Sequence, residues 1–166
     1  MSEYTHRRLT IDNCLFPIDK KILLKSNFRV FRDRPVLTPG TYTDGLAGTS
    51  ARFSADVLTR DAENWDKRLV DLDHAIGDST KIAGHFDPRG YARNAVRGDV
   101  YIHKLLPAGT IAIGLIEAGY VKGLSVEILT KEDWNKDEKL FDVREIKFIG
   151  LGIVGTPACP DASIVD

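Results

Sequence analysis

Hydrophobic and polar positions alternate in several separated stretches of this chain, and that alternation predicts a protein built chiefly from strands. Phe28 to Phe31 favours a strand, Arg34-Pro35 and Pro39-Gly40 punctuate it as turns do, and Tyr42 to Thr49, with Gly45 and Gly48, reads as a loop. Ser54 followed by Ala55, Val57, Leu58, Ala62 and Trp65 has approximate helical spacing, with Ser54 placed to cap the first-turn amides. From Leu69 the period becomes two: Val70 and Leu72 share one face, Leu69, Asp71 and Asp73 the other, so a strand ends at His74.

Lys81 to Phe86 and Ala95 to His103 are two further strand candidates, separated by the turn-prone Asp87-Pro88-Arg89-Gly90 as in a hairpin. Between Pro107 and Tyr120, Ile111, Leu115, Ile116 and Ala118 fall at helical intervals, and Gly119 is placed to close that helix. Val121 to Thr130 returns to strand character, Lys131 to Leu140 is a charged turn region, and Phe141 to Val154 is a long strand ended by Gly155-Thr156-Pro157. Within it Gly150 and Gly152 lie on one face and leave space for a neighbouring group. These elements make an α+β, mainly β domain over 28–166: an antiparallel β-barrel or sheet with peripheral helices. Residues 1–27 mix charges with short apolar pieces such as Ile22 to Leu24, as an arm that is flexible or ordered by a partner would.

Composition narrows the function classes. The 166 residues are enough for one sizeable core, and a net charge of -1 supplies no field to attract nucleic acid or an anionic membrane surface. Cys14 and Cys159 are too few for a disulfide framework and lack zinc-site spacing, so two unpaired thiols are expected. The opening residues lack the apolar run of a signal peptide, which with the absence of a long apolar stretch suggests a soluble intracellular protein. His6, His85 and His103 are scattered, no phosphate-cradling glycine motif opens a helix, and neither a metal nor another cofactor is expected. Asp71 and Asp73 read as the solvated side of their strand, and Trp65 and Trp134 as packing or interface residues.

The candidate chemistry is nucleophilic hydrolysis, which needs a hydroxyl or thiol beside a base and donors aimed at the oxyanion. Ser125 lies on the strand entered through Gly123-Leu124, where Leu124, Val126 and Ile128 face one way and Ser125 and Glu127 the other. His74, at the end of its own strand, is the candidate base. A serine on the polar face of a strand is ordinary by itself, as is an exposed histidine after one.

Order and context add to this. Val70-Asp71-Leu72-Asp73-His74 with Ile76-Gly77, then Val121-Lys122-Gly123-Leu124-Ser125-Val126, then Ile149 to Ala162 with Pro157-Ala158-Cys159-Pro160-Asp161-Ala162, resemble the prohead protease family of tailed phages. The resemblance runs from about Phe28 to the C-terminus and implies a herpesvirus protease-like fold with His74 as base and Ser125 as nucleophile. It also implies oxyanion donors in the turn after the last strand, around Gly155 and Thr156.

One departure stands out, because the family carries a glutamate, and the herpesvirus relatives a histidine, where this chain has Gly150. Asp161, Glu145, His85 and Asp73 are the alternatives for the third group, and a Ser-His dyad or an inactive assembly protein that keeps the protease fold are the others. The resemblance further implies scaffold and major capsid proteins, and the chain itself, as substrates and partners, a homodimer, and action inside the prohead in the host cytoplasm. With a net charge of -1, binding to nucleic acid or membrane is not expected.

Overall fold

The computed structural model describes residues 27–43, 48–75 and 77–165; the arm up to residue 26, with Cys14 and His6, lies outside them. The chain order is β1 (Phe28–Leu37), β2 (Gly40–Thr43), β3 (Ser50–Phe53), α1 (Ala55–Asp61), β4 (Leu69–Leu72), β5 (Ile82–Ala92), β6 (Ala95–His103), α2 (Pro107–Glu117), β7 (Gly123–Asn135) and β8 (Leu140–Val154). Mainly β with two helices, the protein is of the mixed α+β kind. The sheet is nevertheless open: its path runs β1-β6-β5-β4-β8-β3-β2, with β7 paired to β8 off that path. The closed barrel expected from the sequence is not formed by strand pairing, because among the described residues no ladder joins β1 to β7.

Strand β8 organises the sheet. Along one edge it pairs antiparallel with β7 from Leu140 opposite Asn135 to Val154 opposite Gly123. Along the other, the chain from Ala51 to Leu72 runs beside it in the same direction. Ala51 and Arg52 of β3 pair with Phe141 and Asp142, and Val70, Asp71 and Leu72 of β4 pair with Leu151, Gly152 and Ile153. Between these ladders Phe148 exchanges backbone hydrogen bonds with Asn64 and Asp66, at 2.9 and 2.8 Å. The buried Asp61 carboxylate accepts the Ile146 amide at 2.8 Å, so the end of α1 is also pinned to β8.

Several local expectations are met and others are corrected. Ser54 caps α1 by accepting the Val57 N–H, but the helix stops at Asp61 and Trp65 leaves it to stack on Phe148 at 4.6 Å between centroids. Strand β1 continues through Arg34-Pro35 by means of register shifts instead of turning there. Likewise β5 runs through Asp87 to Gly90, with a shift at Pro88/Gly90, and the hairpin turns at Arg93-Asn94, both with positive φ. That two-residue, left-handed turn matches the twist of its strands, and Pro88 is accommodated at the irregularity. Strand β7 outlasts its expected end at Thr130 and reaches Asn135, because β8 provides a partner for every residue to that point. Trp134 is exposed.

The core face of the sheet is dry: Val70, Phe86, Val100, Ile102, Leu124, Ile146, Phe148 and Leu151 are fully buried. Helix α2 begins with Pro107, closes before Gly119 in the left-handed region, and buries Ala108, Gly109, Ala112 and Ile116. Gly109 is there because a Cβ at that point would run into the His103 carbonyl oxygen and come within 3.0 Å of that of Ala83. Around Gly114, further along the helix, there is open space. Gly109→Ala is therefore expected to lower unfolding free energy in urea by roughly 1–3 kcal/mol through overpacking. Gly114→Ala in the same helix is expected to raise it by up to about 1 kcal/mol.

Candidate functional site

Alternation along β8 puts Leu151 and Ile153 into the core and Gly150 and Gly152 on the opposite face. The register sets Ser125 of β7 directly across from Gly152, and Glu127 across from Gly150. Opposite residues of an antiparallel pair have Cα atoms about 4.5–5.5 Å apart and side chains on the same face. On the other edge of β8, Asp71 of β4 is the partner of Gly152, in a parallel ladder. Asp71, Gly152 and Ser125 thus form one row across three strands, and Glu127 stands two residues from Ser125, about 7 Å along β7.

His74 enters this row from the end of β4. Asp73 and His74 both have positive φ, 62° and 56°, so the chain leaves the sheet abruptly after Leu72. The imidazole comes to lie over Gly152: a Cβ there would be 2.9 Å from Nδ1 and 3.1 Å from Cε1. Crossing β8 in this way, Nδ1 meets Glu127 Oε1 on β7 at 2.9 Å. The ring remains partly open, with 36% of its side-chain surface exposed, whereas Glu127 keeps only 11%. Immediately past Glu127 the β7–β8 register shifts, since Ile128 pairs with Phe148 and Ile149 is passed over. Such irregularities re-aim side chains beside functional sites.

Charge is concentrated here with little water to disperse it. The Glu127 hydrogen bond raises the His74 pKa above its ordinary value against the opposing effect of burial, and the charges of Glu127, Asp71 and Asp73 add to the rise. Asp71 is almost completely buried, contrary to its expected place on a solvated strand face: it is the β4 partner of Gly152, the glycine that the His74 ring covers. Burial, and then the Glu127 charge, push its carboxyl up to about 6, while His74 and the Ala75 and His74 backbone amides pull the other way. Asp71 Oδ1 and Glu127 Oε2 are the buried side-chain oxygens that lack a hydrogen-bond partner among the described residues, and both belong to this cluster.

No protein-family model, curated protein or solved structure matches this chain.

The other residues singled out from the sequence lie elsewhere. Asp161 accepts a hydrogen bond from the Thr38 hydroxyl at 3.3 Å, beside buried Cys159, whose thiol is free. Glu145 is paired with Lys131 at 2.8 Å on the far part of the β7–β8 ladder. His85 stacks on Tyr101 at 4.6 Å on the β5–β6 hairpin, and burial lowers its pKa. Gly155 and Thr156 are exposed, three and four residues after Gly152 in the segment leaving β8. Glu127 had been visible in sequence as sharing the Ser125 face, but only the strand register shows that it opposes Gly150. Among the described residues no group of three or more His, Cys, Asp or Glu is arranged to hold a metal ion, and no helix is long and apolar enough to cross a membrane.

Asp71 gives a pH signature that can be measured. Its folded pKa of about 6 lies above the unfolded value of 3.8, so the native state binds the proton more tightly. Its contribution to stability is therefore lost as pH rises from about 4 to 6. Replacing it by Asn removes that slope: Asp71→Asn should be more stable than wild type at pH 8 by on the order of 2 kcal/mol. The difference should vanish below about pH 4, read from denaturant midpoints across pH.

Proposed function

We propose that the protein is a serine endopeptidase in which Ser125 is the nucleophile, His74 the general base and Glu127 the third member. The observation that carries this reading is the His74 Nδ1 to Glu127 Oε1 contact at 2.9 Å, made by a ring lying over the glycine that faces Ser125. With Nδ1–H given to the carboxylate, the lone pair of the neutral ring is on Nε2, the tautomer a base needs. Glu127 also answers the gap at Gly150, which had motivated the alternative of an inactive assembly protein. The carboxylate comes from the residue opposite that glycine on the neighbouring strand.

In this mechanism His74 Nε2 takes the Ser125 proton as Oγ adds to a peptide carbonyl. The C–N bond then breaks, the amine leaves with the proton from the imidazolium, and an acyl-enzyme remains. Water, deprotonated by the same ring, hydrolyses the ester and restores Ser125. Glu127 from β7, and the charge of Asp71 from the β4 side, stabilise the imidazolium formed in each half-reaction. Backbone amides near Gly155 and Thr156 are the proposed oxyanion donors, a role that the resemblance to herpesvirus proteases suggests and that their position just beyond Val154 suits.

The wider role is proposed on the sequence blocks that resemble tailed-phage prohead proteases. The substrates would be scaffold, capsid-protein extensions and the chain itself, cleaved by a homodimer within the prohead in the host cytoplasm. A barrel-like fold is supported by the C-terminal segment, which lies between β7 and β1. Leu124 donates to the Ala162 carbonyl at 3.1 Å, Ile164 donates to that of Lys122 at 3.0 Å, and Arg34 reaches the Ile164 carbonyl at 3.5 Å.

The test is labelling by a serine-reactive fluorophosphonate, followed by cleavage of co-expressed capsid and scaffold proteins. Wild type should label and Ser125→Ala should not; equal labelling of the two would remove Ser125 from the mechanism. Glu127→Gln should slow labelling by roughly 10²–10⁴-fold, as loss of an orienting carboxylate does. Because Glu127 raises the His74 pKa, the acid limb of the pH–rate profile should also move to lower pH in that variant. A slow variant with an unmoved limb would separate Glu127 from the base.

A further inference from the structure

We propose that the exposed face of α2 is a docking surface for the chain's own N-terminal arm, and that its occupant is the apolar triplet Ile22-Leu23-Leu24. The inference is independent of the proteolytic reading and concerns a surface which that reading leaves unused.

Helix α2 presents a neutral outer face. From Pro107 to Ile116 it carries no charged residue, and Glu117 is its only one. A helix on the surface of a globular domain ordinarily turns charged and polar side chains outward. Here Pro107, Ile111, Gly114 and Ala118, spaced by four, three and four residues, share a face away from the buried Ala108, Ala112 and Ile116, and all four are exposed. Leu105 and Leu106 lead into that face; Leu105 is 72% exposed and Ile111 55%. Backbone hydrogen bonds fix the two leucines in place, since the Leu105 N–H donates to His103 Nδ1 at 3.1 Å and the Leu106 N–H to the His103 carbonyl at 3.3 Å. An ordered, contiguous apolar surface of this kind marks a contact site.

The point where the arm joins the domain lies beside this surface. Phe28 pairs antiparallel with His103, and one step further out the Lys104 N–H donates to the Asn27 carbonyl at 2.8 Å. Followed upstream from Asn27, the backbone therefore heads past Lys104 toward Leu105 and the first turn of α2. The other end of the helix is close as well, because Arg29 of β1 reaches Glu117 at 3.7 Å. Leu24 is three residues upstream of Asn27 and Ile22 five, so the triplet reaches at most about 10–18 Å from it. The face from Pro107 to Ala118 is about 16 Å long, a span that this reach matches.

The arm's sequence has the chemistry to fill it. Between Lys20-Lys21 and Lys25, the triplet is an apolar run with no charge to bury, and the flanking lysines oppose Glu117 in sign. A tether of two residues, Lys25-Ser26, holds the triplet near the face at an effective concentration on the order of millimolar. A second copy of the chain would have to compete with that tethered segment by diffusion.

Limited digestion of the full chain by trypsin, read by intact mass, tests the proposal. Lys20, Lys21 and Lys25 bracket the triplet, while Arg7 and Arg8 lie well upstream in the same arm and serve as the internal reference. Initial cleavage after Lys21 and Lys25 is expected to be at least about tenfold slower than after Arg8. Leu23→Ser in the arm and Ile111→Ser on the helix are each expected to speed cleavage after Lys21 and Lys25 by about tenfold and to leave Arg8 unchanged, the population shift that loss of one buried aliphatic side chain brings. Light scattering over a range of protein concentrations accompanies the digestion.

The proposal is overturned if wild type is cut after Lys21 and Lys25 as fast as after Arg8, or if either variant, folded, leaves those rates unchanged. Protection that grows with protein concentration, alongside a dimer that Ile111→Ser dissolves, overturns it too, because the occupant is then a second copy. Should Ile111→Ser not fold, Leu23→Ser, which alters no residue of the described domain, decides alone: faster cutting supports the docked arm, and an unchanged rate rejects it.

Discussion

The site depends on an empty position. Gly152 lies between Asp71 on β4 and Ser125 on β7, and its missing side chain is what lets an imidazole from one neighbour cross to the other. Any Cβ there would stand 2.9 Å from Nδ1, closer than side chains approach, and the ring would have to leave Glu127. Gly150, one pleat away, opposes Glu127 in the same fashion. Two glycines on one face of a long central strand usually weaken it. In β8 the loss is confined to the outer face, while Leu151 and Ile153 maintain core packing from the other.

The energetic character of the two faces differs accordingly. Inside, Val70, Leu124 and Leu151 form a conventional apolar layer, and α1 and Trp65 extend it along β8. Outside, an aspartate and a glutamate are brought together around one imidazole with two oxygens unsatisfied, an arrangement that opposes folding at neutral pH. Locally costly groups that serve a site are common where activity and stability conflict. The charges are held by rigid strands rather than by loops, which limits how far they can separate to relieve repulsion.

Much of the fold could be read from the sequence because its signals are local. Ser54 before an apolar helical repeat, Pro107 and Gly119 at the two ends of α2, and the alternation leading to His74 each depend on neighbours in the chain. What escaped depends on contacts between distant segments. Asp71 looked like a solvated position because alternation describes a face without saying what later covers it. Glu127 could be assigned to the Ser125 face, but its meeting with His74 requires the β7–β8 register and the left-handed turn together. The hairpin turn was misplaced to Asp87–Gly90 because proline and glycine mark irregular strands as well as turns, and Arg93-Asn94 carries the stronger geometric requirement.

The placement of β8 has a consequence for when the site can exist. His74 and Glu127 sit on strands that do not pair with each other, and the surface that joins them belongs to the final strand of the sheet. A growing polypeptide that has emerged only as far as β7 carries every charged member of the cluster yet offers no platform to align them. Alignment of the cluster is thus deferred until β8 has been made, so that the imidazole and its two carboxylates cannot gather while the chain is still growing toward that strand.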